Sequence, residues 1–272
     1  MGRADVTREV TSADGVRLAV YESGPPGAPV IVAVHGYPDD HSVWDELTPL
    51  LADRFRVVTY DVRGAGASDH PRRVADYRLP KLVADLAAVI DAVSPDAPVH
   101  LLGHDWGSVQ SWPAVTDESL RGRIARFTSI SGPSITYGGA WLRGRSRGAA
   151  RQLAHSYYVA LFQIPKLPEL AIRSGLLDRL VQDGRPRRRS DELNGLQLYR
   201  ANRRAAAEAP RPVEIPVQLV VPGRDPYVTP AFAIGAARPW VADLRVDRID
   251  AGHWVVTEQP EAIADLVRSF AG

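Results

Sequence analysis

Short runs of β-branched residues alternate with helically periodic segments along most of this sequence, a rhythm that leaves few folds open. Val30-Ile31-Val32-Ala33-Val34 is apolar at every position, as a strand buried on both faces requires. Residues 56–60, 99–102, 127–130, 217–221 and 245–249 read as further strands, and 6–11 with 16–21 as a hairpin turning at Asp14-Gly15. Between strands, Leu82, Val83, Leu86, Val89, Ile90 and Val93 follow helical spacing, and Pro260 opens a second helix over 261–270. Such alternation implies an α/β protein with a mostly parallel sheet and helices on both faces. Ligands then bind beyond the carboxyl ends of the strands. The rhythm breaks over 133–212, which has no strand pattern, several Pro and Gly, and the run Arg185 to Arg189. That stretch is expected to be a helical lid inserted into a core made of 1–132 and 213–272. The arginine run is expected to be a solvated face.

Composition narrows the chemistry. No cysteine occurs among the 272 residues, which removes disulfides, thiolate metal sites and a cysteine nucleophile together. Lys+Arg number 33 against 32 Asp+Glu, so the net charge of +1 lacks the basic surplus of a nucleic-acid partner. The longest apolar runs fall far short of the ~20 residues that cross a bilayer, and the expectation is no membrane partner and a cytoplasmic location. Gly2 does not begin a myristoylation signal, because Val6 stands where Ser or Thr is needed. No spacing suits a metal, and the glycines at 64 and 66 lack the Lys-Ser/Thr of a phosphate loop. Neither metal nor cofactor is expected.

The most informative string is Gly103-His104-Asp105-Trp106-Gly107, directly after one strand and before a helix. It has the form of a nucleophile elbow, a strained turn that pushes one side chain out of the sheet, with Asp105 at its centre in place of Ser. A carboxylate that attacks an ester or amide gives a labile anhydride, whereas attack at a saturated carbon gives a stable alkyl ester. Hydrolysing that ester needs a base and an oxyanion hole. Backbone N–H groups of Trp106 and of Tyr37, in His35-Gly36-Tyr37-Pro38, are placed to form the hole. Asp225 and His253 each follow a later strand. The order Asp105, Asp225, His253 is that of nucleophile, orienting acid and base, so all three can meet at one sheet edge. His35 and His104 read as scaffolding, and Pro113 should kink the helix after the elbow.

On these residues the sequence resembles the α/β-hydrolase superfamily along nearly its whole length, the turn Asp61-Val62-Arg63-Gly64-Ala65-Gly66 included. His-Asp-Trp-Gly at 104–107 is similar to the elbow of epoxide hydrolases and haloalkane dehalogenases, both of which attack saturated carbon through a carboxylate. An opening epoxide releases an alkoxide, which calls for an acid, and epoxide hydrolases supply two lid tyrosines. Tyr157-Tyr158-Val159-Ala160-Leu161-Phe162-Gln163 looks like the first of those lid motifs, and the helical stretch 194–203 like the second. The resemblance therefore implies Tyr158 and Tyr199 as oxygen donors, with Tyr157 the competitor of Tyr158.

The function this implies is hydrolysis of an apolar epoxide to a vicinal diol, a detoxification chemistry, through an alkyl ester on Asp105. Its partners are a small hydrophobic epoxide and water. A haloalkane dehalogenase with the same triad is the first alternative, although Tyr37 stands where many dehalogenases have Asn. A non-catalytic ligand-binding module on the same fold is the second. Trp141, Leu142, Phe162, Ile164 and Leu167 are expected to line the lid. The sequence leaves a homodimer open, and some family members carry a further dehydrogenase-like domain.

Overall fold

A computed structural model describes residues 6–176 and 185–272. Gly2 and positions 177–184 of the expected lid lie outside the described residues. The described residues contain eight strands: β1 (Arg8–Thr11), β2 (Arg17–Ser23), β3 (Val30–Val34), β4 (Arg56–Tyr60), β5 (Val99–His104), β6 (Ile124–Ile130), β7 (Val217–Pro222) and β8 (Leu244–Ile249). They form one sheet in the order β1-β2-β4-β3-β5-β6-β7-β8. β1 and β2 pair antiparallel, as does β2 with β4, and every pairing from β4 to β8 is parallel. Carboxyl ends of β5, β7 and β8 therefore open on one edge.

Both faces are covered, which explains the unbroken apolar character of β3. Val30, Val32 and Val34 pack on one side with Leu86, Val89 and Ile90, while Ile31 and Ala33 pack on the other with Leu51, Ile263 and Val267. This is the period-two alternation of a strand with no wet face. The first layer contains α2 (Leu79–Val93) and α3 (Trp106–Ala114). The second contains α1 (Thr48–Leu51) and, at the chain's end, the pair introduced below. In α2, Leu82, Leu86, Val89, Ile90 and Val93 are all buried, each contributing about 1.5–3 kcal/mol of transfer free energy. Pro113 lies one residue before the end of α3; its missing N–H removes one ladder bond, and the Val115 N–H still donates to the Ser111 carbonyl at 3.0 Å.

Between β6 and β7 the described residues form helices: α4 (Ile135–Arg143), α5 (Arg147–His155), α6 (Tyr157–Leu161), α7 (Leu167–Arg173) and α8 (Arg189–Ala201). After β7 come α9 (Pro230–Ala237), then β8, α10 (Val255–Glu258) and α11 (Pro260–Ala271). Residues of α10 and α11 belong to the second layer, and Pro260 opens α11. A third apolar cluster joins the inserted helices to the sheet edge through Ile172, Leu196, Leu198 and Tyr199 against Tyr37, Trp106 and Leu82. Among the described residues no helix is long and apolar enough to cross a membrane.

Candidate active site

Asp105 occupies the single residue between β5 and α3 and takes φ 50°, ψ −123°. An L-residue in that region costs roughly 1–3 kcal/mol, and the turn throws the side chain off the sheet. The amide of Asp105 still bonds the Ile130 carbonyl at 3.0 Å, so the elbow stays anchored to β6. The Tyr37 N–H donates to Asp105 Oδ1 at 2.7 Å. A Cβ on Gly36 would overlap that carboxylate and stand 2.7 Å from the Trp106 amide nitrogen. Of the two expected oxyanion-hole amides, that of Tyr37 bonds Asp105 Oδ1 and that of Trp106 borders the same space, which Gly36 keeps open.

The strand ends bring the other two residues to the same place. His253 Nε2 lies 3.4 Å from Asp105 Oδ2, and its Nδ1 lies 2.9 Å from Asp225 Oδ2. The second Asp225 oxygen accepts the N–H groups of Tyr227 (2.8 Å) and Val228 (3.0 Å). Burial pushes the Asp225 carboxyl upward, but the His253 ring and the two amides outweigh it and hold it below the usual carboxylate range. Burial likewise pushes the His253 ring down, yet the flanking carboxylates of Asp225 and Asp105 raise it to about 10. At neutral pH the resting histidine is an imidazolium between two carboxylates.

The scaffolding histidines have single, assignable tautomers. His35 Nε2 accepts the Val62 N–H at 3.0 Å, leaving Nδ1–H to meet the Gly36 carbonyl at 2.9 Å. His104 Nε2–H donates to the carbonyl of His253 at 2.9 Å, tying the elbow to the histidine loop. Asp40, His41 and Asp61 bring ligand-type atoms within 4.8 Å of one another. Donors fill Asp61, however: the His41 amide and ring, the Ala67 amide and the Tyr21 hydroxyl. That cluster is a hydrogen-bonded brace.

Asp105 and His253 open into a cavity of about 290 Å³ whose other walls are apolar or aromatic. Tyr158 and Tyr199 both line it, with ring centroids 6.0 Å apart, and Tyr199 stands 4.9 Å from Trp106. Burial, then the Asp105 carboxylate among other groups, pushes both phenols well above their ordinary value, so they are neutral donors at working pH. Tyr157 also touches the cavity but is 62% exposed, whereas Tyr158 is enclosed by Phe162, Tyr199 and Tyr227. Gly195 explains the seat of Tyr199. A Cβ there would overlap the Tyr37 ring, and only this close approach of α8 sets Tyr199 one helical turn later against Trp106.

Three residues of the site have no counterpart among the expectations. Tyr227 packs its ring 4.9 Å from that of His253 and 5.3 Å from that of Tyr158, and its phenol is pushed up to about 12 by burial and the nearby carboxylates. Asp39 is buried and accepts Trp254 Nε1–H at 2.8 Å. Its other oxygen pairs with Arg187 at 2.9 Å, and the guanidinium of Arg187 lies over the Trp254 ring. Each adjoins a motif residue, which was the available signal: Tyr227 is two after Asp225, Asp39 two after Tyr37, Trp254 one after His253.

Two expectations are corrected. The arginine run is not a solvated face throughout, because the Arg187 side chain is 6% exposed and reaches into the core to Asp39. Of the expected lid lining, Phe162 and Leu167 meet the cavity. Trp141 instead packs on Phe232, Leu142 joins the core layer, and Ile164 faces outward. Helical position alone does not say which flank of a lid helix meets the cavity.

Residues 31–266 match the model of the alpha/beta hydrolase family. The chain is 37% identical to the protein called probable oxidoreductase EphD of Mycobacterium tuberculosis, over 98% of this chain and 49% of that protein, and so spans about half its length. It is 28% identical to epoxide hydrolase A of the same organism, over 98% of both. Among solved structures, epoxide hydrolases from metagenomes of hot environments superpose with a TM-score of 0.82 at 23% identity, covering 100% of this chain and 99% of the other. The Bacillus megaterium epoxide hydrolase with an inhibitor gives 0.77 at 21%, covering 97% and 99%. With its elbow, sheet order and inserted helices, this chain belongs to the alpha/beta hydrolase family and resembles its epoxide hydrolases.

Proposed function

We propose that the protein hydrolyses an apolar epoxide to a vicinal diol through an ester on Asp105. The reading rests above all on one observation: a carboxylate at the elbow faces a cavity that is also lined by two neutral tyrosines, Tyr158 half-buried and Tyr199 buried. A serine hydrolase would need neither feature.

The geometry supports distinct roles for the two carboxylate oxygens. Oδ1 is held by the Tyr37 amide, so Oδ2 attacks one oxirane carbon. The C–O bond of the ring breaks, and its electron pair goes to an oxygen that receives a hydrogen bond from one tyrosine and a proton from the other. Alkylation removes the negative charge of Asp105, one of the causes that keep His253 protonated. The ring's proton then returns to the tyrosinate, leaving a neutral imidazole oriented by Asp225. That imidazole takes a proton from water as the water oxygen adds to Cγ. The resulting oxyanion on Oδ1 lies against the Tyr37 and Trp106 amides. Collapse breaks the Cγ–Oδ2 bond, the carboxyl proton passes to the leaving alkoxide, and diol departs from an enzyme restored to carboxylate and imidazolium.

Single turnover in heavy-oxygen water tests this sequence. The label is expected in the Asp105 carboxylate and not in the first diol; label in the first diol would mean direct attack by water. Assays of halide release beside diol formation separate this activity from dehalogenation. Ligand binding with no turnover across an epoxide panel would point to a binding module.

A further inference from the structure

We infer that the outer face of α5–α7 docks on an anionic lipid surface, placing the mouth of the cavity in the apolar part of that surface. The inference deepens the function proposed above by naming where the epoxide comes from. The docking itself does not depend on epoxide turnover.

Eight of the ten large apolar side chains exposed among the described residues fall between 153 and 176. Leu153 is 58% exposed, Tyr157 62% and Leu170 66%. Helical spacing sets Tyr157 with Leu161 on one face of α6 and Leu167 with Leu170 on one face of α7, while Leu153 lies in the last turn of α5, just before α6. The patch has no polar break at the cavity: Tyr157, Leu161 and Leu167 are both exposed and part of the cavity wall. Contiguous apolar surface of this kind marks an interaction site.

Charge identifies the occupant. Residues 143–176 hold six Lys/Arg and one Glu, a balance of +5 in a chain whose total is +1, so the remainder carries −4. Glu169 pairs with Arg200 of α8. Arg145, Arg147, Arg151, Lys166 and Arg173 are exposed and form no ion pair among the described residues. Apolar side chains bordered by free cations suit an anionic bilayer, whose headgroups meet the cations while its acyl region receives the leucines. A second copy of the same face would bring like charges together. The expectation of no membrane partner rests on the lack of a spanning run, and a surface contact does not need one.

The test is cosedimentation of the full chain with phosphatidylcholine vesicles, with and without phosphatidylglycerol, and with no epoxide present. Wild type is expected to pellet with the phosphatidylglycerol vesicles alone, and to be released at about 0.5 M salt, where the Debye length is a few Å. Arg147→Glu with Arg151→Glu, and separately Leu153→Ser with Leu170→Ser, are each expected to weaken partitioning about tenfold or more. None of these four side chains lines the cavity, so turnover of a water-miscible epoxide and the melting temperature are expected to stay at wild-type values. Folded wild type that pellets with neither vesicle overturns the inference, as does equal pelleting with both. A wild-type dimer dissociated by Leu153→Ser with Leu170→Ser would also overturn it, placing a second copy on this face. Should a variant fail to fold, the headgroup and salt comparisons on wild type decide. Anionic vesicle binding by a chain that forms no diol would leave the surface standing and remove the epoxide reading.

Discussion

The sheet edge and the inserted helices contribute to the same cavity and are built on opposite principles. Asp105 and Asp225 follow parallel strands paired on both sides and His253 follows the edge strand β8, and each is tied by hydrogen bonds to backbone or to one another. Tyr158 stands on α6, whose outer flank is apolar and exposed, and Tyr199 on α8, which packs its apolar residues inward. The segment between β6 and β7 meets the core through an apolar cluster and through polar links that include Arg187 to Asp39, Gln152 to Thr229, and Asp191 to the Gly66 amide at 2.9 Å. A sheet edge fixes which bonds can be made and broken, while an insertion fixes what reaches them. Changes at the edge should therefore abolish a step, and changes in the helices should grade it.

The largest effects test the first half of that statement. Asp105→Asn is expected to lower turnover on the order of 10⁴-fold or more, as removal of a nucleophile does. His253→Gln should lower it comparably, but by a different route. Ring opening continues, hydrolysis stops, and intact mass shows the epoxide's mass added to the protein. An unmodified protein in that variant would break the assignment of His253 to the second step. Next come the phenols. Tyr158→Phe and Tyr199→Phe together should slow ring opening on the order of 10²–10⁴-fold, the range of general acid catalysis, with each single change costing less and Tyr157→Phe almost nothing. Presteady-state alkylation rates read this directly, and a loss centred on Tyr157 would exchange the two tyrosines.

A middle-sized effect lies on the link between the regions. Asp39 is buried with one oxygen on Arg187 and the other on Trp254, the neighbour of His253. Arg187→Met leaves that carboxylate half-paired in a closed site, which costs roughly 3–5 kcal/mol when a buried pair is broken from one side. Arg187→Met with Asp39→Leu should recover much of that stability, because no lone charge remains. Chemical denaturation of the two variants decides; equal losses would mean that Arg187 acts through packing alone.

What the sequence disclosed divides along the same line. β3 was readable because burial on both faces demands five apolar residues in a row, and the elbow because its strained turn forces Gly-x-Asp-x-Gly. Asp225 and His253 were readable as an acid and a histidine three and four residues beyond the ends of β7 and β8, in the chain order that follows the elbow. β6 begins three residues earlier than its apolar run suggests, since Ala125 is exposed and Arg126 half-buried where pairing with β5, not burial, sets the strand. The helices gave less away. Trp141 and Phe162 are alike as aromatic helical residues, and only the packing of α4 on α9 against that of α6 over the cavity sends one to the core and the other to the site. Arg187 stands in a run of like charges that reads as solvated, and its partner lies 148 residues away.

The smallest predicted effect concerns the edge alone and carries a definite sign. His253 has a folded-state pKa of about 10 against an ordinary 6.5. A group raised on folding contributes stability in full below its unfolded pKa and loses it as pH rises through the folded one. Wild type should therefore lose stability progressively from about pH 6.5 to pH 10. Asp105→Asn removes one of the two carboxylates that hold the proton, so its histidine deprotonates at lower pH and this contribution fades sooner. At neutral pH wild type should melt higher than Asp105→Asn, by about a few degrees for a domain of this size. The gap should close, or reverse, as pH approaches 10, where the wild-type edge holds two carboxylates and no cation between them. Melting curves of both proteins across that window measure it. A gap that stays constant with pH would show that the imidazolium does not draw its stability from Asp105, and the charge-release step assigned to alkylation would fall with it.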